Sequence, residues 1–299
     1  MAIKVGIQGE RGSFSEQASE KLLGPGIDLV CCPSFQDLFA VMKKGKAQVA
    51  VVPIENTLAG SIHRNYDLLL DSGLQITAET NLRIEHCLIG TPQARLRDIR
   101  IVVSHPVALD QCRRFFRNHR SMTAQETYDT AGAVQDVVRS GDRHLAAIAG
   151  KAAAQHFGGA ILVKNIEDNP ENFTRFFALE KRGSCLATRQ ARRHALAAGR
   201  RKSPRAGARP RRAGEDLKTS LVFSTKNVPG ALFRCLSVFA LRDINLSKIE
   251  SRPLHGRPWQ YLFYVDLLAG TGEERTRHAL RHIQEITEFF KVLGCYPTV

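Results

Sequence analysis

Val49-Ala50-Val51-Val52-Pro53-Ile54-Glu55-Asn56-Thr57-Leu58-Ala59-Gly60 starts as an unbroken aliphatic run and ends in a polar turn. A short apolar run without alternation is what a buried strand of a parallel sheet looks like. The polar groups then fall at the strand's carboxyl end, where open α/β sheets hold ligands. One distant stretch repeats the pattern, and another sets polar groups where an apolar run begins. Ile101-Val102-Val103 runs into Ser104-His105-Pro106, with Gln111 following seven residues after Ser104. The loop Asp168-Asn169-Pro170-Glu171 leads into Asn172-Phe173-Thr174-Arg175-Phe176-Phe177, which sets an amide, a hydroxyl and a guanidinium at the edge of an apolar run. Such residues ordinarily satisfy nearby backbone groups. Three of these patches at strand ends instead describe a site that grips a small anion and passes it a proton.

Outward from these patches, strand signals fall at 4–8, 29–32, 49–54, 76–79, 86–89, 101–104, 122–126, 145–149, 161–164 and 174–179. Amphipathic helix signals fall at 13–23, 35–44 and 130–139, the first opened by Ser13 with Glu16 at capping-box spacing. Alternation of strands and helices predicts parallel sheets covered by helices, and a restart near residue 80 predicts two lobes. From residue 219 the order changes to strand, helix, strand, strand, helix, strand, a ferredoxin-like βαββαβ unit. Its strands are expected at 221–224, 245–251, 260–268 and 291–295. Its helices are expected at 229–242, with Pro229 near the first turn, and at 273–288.

The chain has 299 residues, 43% of them hydrophobic, enough for two packed domains. No apolar run reaches membrane-spanning length, and Met1-Ala2 leads straight into a strand, so a cytosolic protein without a membrane partner is expected. The seven cysteines are odd in number and include no Cys-x-x-Cys pair. They read as free, mostly buried thiols, with neighbours Cys31 and Cys32 facing opposite ways. The formal charge of +14 is concentrated. Twelve Lys and Arg lie between 181 and 214 with no Asp or Glu among them, so the folded parts together stand near +2. Rich in Ala, Arg, Gly and Pro, residues 182–216 read as a basic flexible linker, in which 188–198 can form a transient helix. Without an aromatic side chain for base stacking, nucleic acid is not the expected partner.

The three patches resemble those of the prephenate dehydratase family. Thr174-Arg175-Phe176 matches its Thr-Arg-Phe signature. Pro53-Ile54-Glu55-Asn56-Thr57 matches its Pro-Ile-Glu-Asn-Ser/Thr segment, and Ser104-His105-Pro106 with Gln111 matches its Ser-His-Pro segment and following Gln. The resemblance implies a catalytic domain over 1–181 of the type II periplasmic-binding-protein kind. One lobe spans about 1–80 and 160–181, with the last strands from about 161 returning to it, and the other about 81–159. The cleft between them is the active site. It also implies an ACT regulatory domain over 217–299. That match rests on Gly230-Ala231-Leu232 and Glu250-Ser251-Arg252-Pro253, segments that in the family bind phenylalanine across a dimer interface. A homodimer or homotetramer assembled through these domains follows from the resemblance. The linker is longer than the family's usual connection.

In that family prephenate loses carbon dioxide and water to become phenylpyruvate. Aromatisation of the ring drives the step, so no cofactor or metal is called for. Thr174 takes the position that assists the departing hydroxyl, and Asn56, Ser104 and Gln111 the positions around the substrate; Glu55, in the same family segment, is read as a catalytic residue that orients Asn56 or takes part in proton transfer, with a buried structural role as its alternative. Arg175 is the natural bidentate partner of a carboxylate, with a salt bridge between lobes as its alternative. Adjacent strand residues face opposite ways, so Thr174 and Arg175 do not both face a ligand. Asn172, Ser13, Thr57, Gly60, Thr80 and Asn81 are further cleft candidates, with a helix start read at Gly60-Ser61. Gly9-Glu10-Arg11-Gly12-Ser13-Phe14-Ser15 lacks the spacing of a nucleotide loop. In the family the corresponding glycine-rich segment lines the cleft and more often carries Pro where Glu10-Arg11 stands here. His63, His86 and His105 fit no common metal-ligand spacing and read as structural. Three alternatives stay open: preference for arogenate, which carries an amine in place of the keto group, a non-catalytic amino-acid sensor, and a nucleic-acid-binding regulator resting on the linker.

Overall fold

The computed structural model describes residues 2–189, 217–254 and 259–298. Two compact units emerge: Met1–Ser72 with Thr80–Ala178, and Gly73–Glu79 with Leu179–Val299.

The first unit holds two sheets. One places β1 (Lys4–Gln8) between β2 (Asp28–Cys32) and β3 (Val49–Asn56), both parallel to it, and continues from β3 to β11 (Phe173–Lys181). Val49, Ala50, Val51, Val52 and Ile54 are fully buried, as a strand covered on both faces requires. A short strand β4 (Gly60–Ser61) folds back on β3, pairing Glu55 with Ser61 and Asn56 with Gly60. The helix read at Gly60-Ser61 therefore begins later, at α3 (His63–Ser72). Gly60 takes φ 81°, the left-handed turn that makes the reversal. Helix α1 (Phe14–Leu23) opens on Ser13, whose Oγ accepts from Glu16 N, while the Glu16 carboxylate accepts the N–H of Gly12. Helix α2 (Phe35–Lys43) is capped by Ser34.

The second sheet runs β10-β6-β9-β7-β8. Its strands are β6 (Cys87–Gly90), β7 (Ile101–Ser104), β8 (Thr123–Glu126), β9 (Leu145–Ala149) and β10 (Ala160–Lys164), following β5 (Leu74–Arg83) in the chain. Short helices α4 (Pro106–Asp110) and α5 (Arg113–Asn118) follow β7, α6 (Thr130–Ser140) follows β8 and α7 (Lys151–Phe157) follows β9. The core packs Leu88, Ile99, Val102 and Ile148 on one side and Ile89, Val134 and Val137 on the other. Residues 160–164 pair antiparallel with β6, so the return to the first sheet occurs at β11 and not near residue 161. Of these two segments, β11 and not 160–164 carries the continuous buried run that a central strand needs.

In the second unit β12 (Leu217–Ser224), α8 (Ala231–Ala240), β13 (Leu246–Pro253), β14 (Tyr261–Leu267), α9 (Glu274–Ile286) and β15 (Phe289–Pro297) follow one another. The sheet order is β13-β14-β12-β15, antiparallel throughout, and the helices pack Cys235, Val238, Phe239, Ala279 and Ile283 onto Leu221, Phe223 and Val265. Helix α8 starts at Ala231, with Gly230 as its cap at φ 75°, so Pro229 precedes the helix. The second unit also claims residues 73–79, which the sequence assigned to the catalytic domain. Gly294 of β15 pairs with Ile76, where a Cβ would stand 2.2 Å from the Ile76 carbonyl, and Lys218 Nζ lies 2.7 Å from Glu79 Oε1. Residues 182–189, read as linker, are tied down: the buried Glu180 carboxylate accepts from Leu186 N and Ala187 N. Residues 190–216, with most of the basic stretch, lie outside the described residues. All seven cysteines are free, Cys31 exposed and Cys32 buried. No described helix is long and apolar enough to cross a membrane.

Candidate active site

The first unit encloses a cavity of about 480 Å³ whose walls come from both of its sheets. Asn56, Thr174 and Phe176 line it from β3 and β11, His86 from the segment before β6, and His105 and Gln111 from the turns bounding α4. Three helix starts open onto it: Ser13 and Phe14 of α1, Ser34 and Phe35 of α2, and Asp129 and Thr130 of α6. Helix N-termini favour anions.

At its floor a chain of side-chain amides has only one consistent set of proton positions. Asn56 Oδ1 accepts from the backbone N–H groups of Leu58 (3.0 Å) and Ala59 (2.8 Å), which can only donate. Asn56 Nδ2 is therefore the donor end. It reaches Asn172 Oδ1 at 2.7 Å and Thr174 Oγ1 at 2.9 Å. Asn172 Nδ2 in turn donates to Gln111 Oε1 at 2.8 Å, and Gln111 Nε2 points back to Asn56 Oδ1 at 3.4 Å. His86 Nε2 stands 2.9 Å from Gln111 Oε1, an acceptor, so it carries the proton. Two consequences follow. The hydroxyl of Thr174, 8% exposed, receives a hydrogen bond from Asn56 and keeps its own proton for whatever fills the cavity. The imidazole of His86 is neutral, with Nδ1 buried and unpartnered. Burial holds His86 below its ordinary range, against the upward pull of the Gln111 hydrogen bond and the Glu167 charge.

Arg175 faces away from Thr174, as strand alternation requires. It pairs with Glu55 at 3.9 Å, and its guanidinium lies 4.7 Å from the Phe177 ring centroid. Neither Arg175 nor Glu55 lines the cavity. Ser104 is fully buried and donates to Ile148 O at 2.6 Å, joining β7 to β9. Thr57 Oγ1 bonds Glu171 O and Phe173 N, holding the loop that aims Asn172. Thr80 is buried, and Asn81 accepts from Lys21 through its carbonyl; neither these nor Gly60 reaches the cavity. The structure thus brings Asn56, Gln111, Asn172, Thr174 and Ser13 to the cavity or its floor.

His86, His105, Arg64, Tyr128 and Asp129 also shape the cavity, beyond the residues singled out in the sequence. No motif flags them: two read as structural histidines, and the others sit in helix first turns or turns. Asp129 Oδ2 caps α6 through Gly132 N at 2.8 Å. Tyr128, pushed up to about 12 by desolvation and then by the Glu10 and Asp129 carboxylates, stays a protonated donor at neutral pH. Among the described residues no cluster of His, Cys, Asp or Glu is arranged to hold a metal ion.

In the second unit Gly230, Ala231 and Leu232 form the start of α8. Glu250, Ser251, Arg252 and Pro253 lie on the edge strand β13, with Glu250 paired to Lys248 at 2.8 Å.

A family model described as prephenate dehydratase matches residues 5–184. The Arabidopsis thaliana protein named arogenate dehydratase/prephenate dehydratase 1, chloroplastic, is 40% identical over 309 residues, covering 99% of this chain and 72% of that protein. Among solved structures, one described as a novel type of quorum-quenching acylase, GqqA, shares 30% identity at a TM-score of 0.82, over 99% of this chain and 98% of that one. The Arthrobacter aurescens prephenate dehydratase in complex with L-Phe shares 27% identity at a TM-score of 0.80, over 99% and 92%.

Proposed function

The chain belongs to the prephenate dehydratase family, and from that premise we propose how its cavity performs the chemistry. The enzyme is a lyase that converts prephenate to phenylpyruvate, carbon dioxide and water, in the route to phenylalanine. One observation carries the residue assignment: Asn56 Nδ2 donates to Thr174 Oγ1 at 2.9 Å, while two backbone N–H groups hold the other end of the same amide. Thr174 is thereby a fixed donor to the hydroxyl that leaves the ring. A threonine hydroxyl is too weak an acid to act unaided, so Thr174 orients the leaving hydroxyl by a hydrogen bond, and the proton that departs with it as water is taken up from solvent. Such assistance is worth roughly 10²–10⁴-fold, and orientation with the helix-terminus field supplies the rest. Asn172, Gln111 and His86 hold the amide of Asn56, and Ser104 keeps β7 and β9 together. The test is ultraviolet detection of phenylpyruvate formed from prephenate, with Thr174→Ala as control; equal turnover by the two proteins contradicts the assignment.

The two-sheet unit is read as a periplasmic-binding-protein type II catalytic domain and the βαββαβ unit as an ACT domain. Phenylalanine is its inhibitory ligand, at Gly230-Ala231-Leu232 and Glu250-Ser251-Arg252-Pro253 of a homodimer or homotetramer. The phenylalanine complex of the Arthrobacter aurescens enzyme supports this reading. Unchanged turnover at saturating phenylalanine, with no heat of binding, removes it; light scattering measures the assembly. A cytosolic location belongs to the same proposal and is tested by cell fractionation.

A second reading, arogenate as the preferred substrate, is raised by the name of the 40% identical plant relative, which gives both activities. Rates on the two substrates at equal concentration separate the readings. An N-acyl substrate in the same series tests whether the acylase activity named for the 30% identical structure extends to this chain.

A further inference from the structure

We infer that Arg64 is the group that binds the side-chain carboxylate of the substrate, the one carboxylate that survives the reaction. The inference rests on the dehydratase reading and names the charge that reading still lacks. Prephenate enters as a dianion. The floor groups Asn56, Asn172, Gln111, Thr174 and His86 are neutral, and Arg175 is turned away onto Glu55 and Phe177. Among the described cavity residues, Asp129 is an acid already capping α6, and Arg64 is the one guanidinium. Arg64 stands exposed in the first turn of α3 and has no ion-pair partner among the described residues.

Chemistry decides which carboxylate it takes. In the reaction one proton joins the dianion, the ring C–O bond breaks to release water, and the bond from ring carbon to carboxylate breaks. That bond's electron pair enters the ring, leaving neutral carbon dioxide and the phenylpyruvate monoanion. A guanidinium on the departing carboxylate would bind the ground state better than a transition state that is losing this charge, and so would slow the step. The side-chain carboxylate keeps its charge throughout. Geometry agrees. The ring hydroxyl sits opposite the carbon that bears both carboxylate arms. With the hydroxyl at the buried Thr174, those arms are directed away from it, and Arg64 is an exposed residue of the same cavity lining. The departing carboxylate is left among uncharged groups, which favours its loss.

The experiment uses the full chain, wild type and Arg64→Gln, with Arg64→Lys as the conservative variant and thermal melting to verify folding. It reads kcat and KM on prephenate and the inhibition constant of phenylpyruvate, which carries only the side-chain carboxylate. Loss of a charged hydrogen-bond partner predicts a rise in KM of about 10- to 100-fold with kcat within about 3-fold. The phenylpyruvate constant should rise by the same factor, with partial rescue by Lys. An unchanged KM overturns the inference. So does a raised KM with unaltered phenylpyruvate inhibition, which would place Arg64 on the ring carboxylate, and so does a loss confined to kcat. Wild-type protein that fails to turn over prephenate removes the dehydratase reading along with this inference; wild-type turnover matched by Arg64→Gln removes the inference alone.

Discussion

At the floor of the cavity Asn56, Asn172, Gln111 and His86 spend most of their polar atoms on one another, whereas at its mouth Arg64 has no ion-pair partner among the described residues and Tyr128 is 57% exposed. The floor fixes where one proton points and holds no net charge. The exposed wall supplies a positive charge through Arg64. Groups of the first kind act on a bond as it breaks and show in kcat; groups of the second kind hold a charge that does not change and show in KM.

The largest effect expected from breaking this contrast is at Thr174. Thr174→Val keeps the branched shape and removes the donor, so kcat should fall by roughly 10²–10⁴-fold while KM stays near wild type; steady-state kinetics on prephenate reads both. Arg64→Gln should give the reverse split. Gln111→Leu strips the acceptor from two buried donors, Asn172 Nδ2 and His86 Nε2. A cost of about 1–3 kcal/mol is expected in urea unfolding, together with a lower kcat. Two glycines sharpen the point further. Gly12 takes φ +79° and a Cβ there would lie 2.6 Å from Ala153 Cα, so Gly12→Ala should disturb the Ser13-Phe14 wall and lower both stability and activity. Gly141, at φ +65° with open space around it, should cost only about 1–2 kcal/mol as Ala and leave kinetics intact.

The smallest effect is in pH. The folded His86 titrates below 6.5, its ordinary value, because burial disfavours the charged ring. Its contribution to stability is complete above the unfolded-state value and is lost as pH falls from there through the lowered folded one. Stability should decline on acidification below about 6.5, less so in His86→Gln, while kcat shows no histidine-type loss near neutrality. Chemical denaturation across pH reads the first and a kcat profile the second.

Much of this contrast is legible in the amino-acid sequence. Aliphatic runs ending in polar turns located β3 and β7, a polar patch opening an apolar run located β11, and alternation along β11 separated Thr174 from Arg175. Hidden from such reading were contacts made at long separation. The pairing of 160–164 with β6 kept that strand in the second sheet, and even the four-residue reversal that pairs Gly60 with Asn56 turned an apparent helix start into a hairpin. The role of His86 depends on Gln111, 25 positions away, and a lone histidine beside an apolar strand carries no local mark of it. Arg64 was equally silent, since the first turn of α3 carries no sign of which cavity it borders. Ser104 shows the converse: a family motif marked it for substrate, and in the structure its hydroxyl joins two strands.

The central claim is that Asn56 acts through Thr174 by holding its proton outward. Asn56→Asp turns that donor into an acceptor and draws the Thr174 proton back. The most direct test is the kcat cost of Thr174→Val measured in the wild-type background and again in Asn56→Asp. A loss of at least about 10²-fold is expected in the first and little further loss in the second. The same loss in both backgrounds would contradict it.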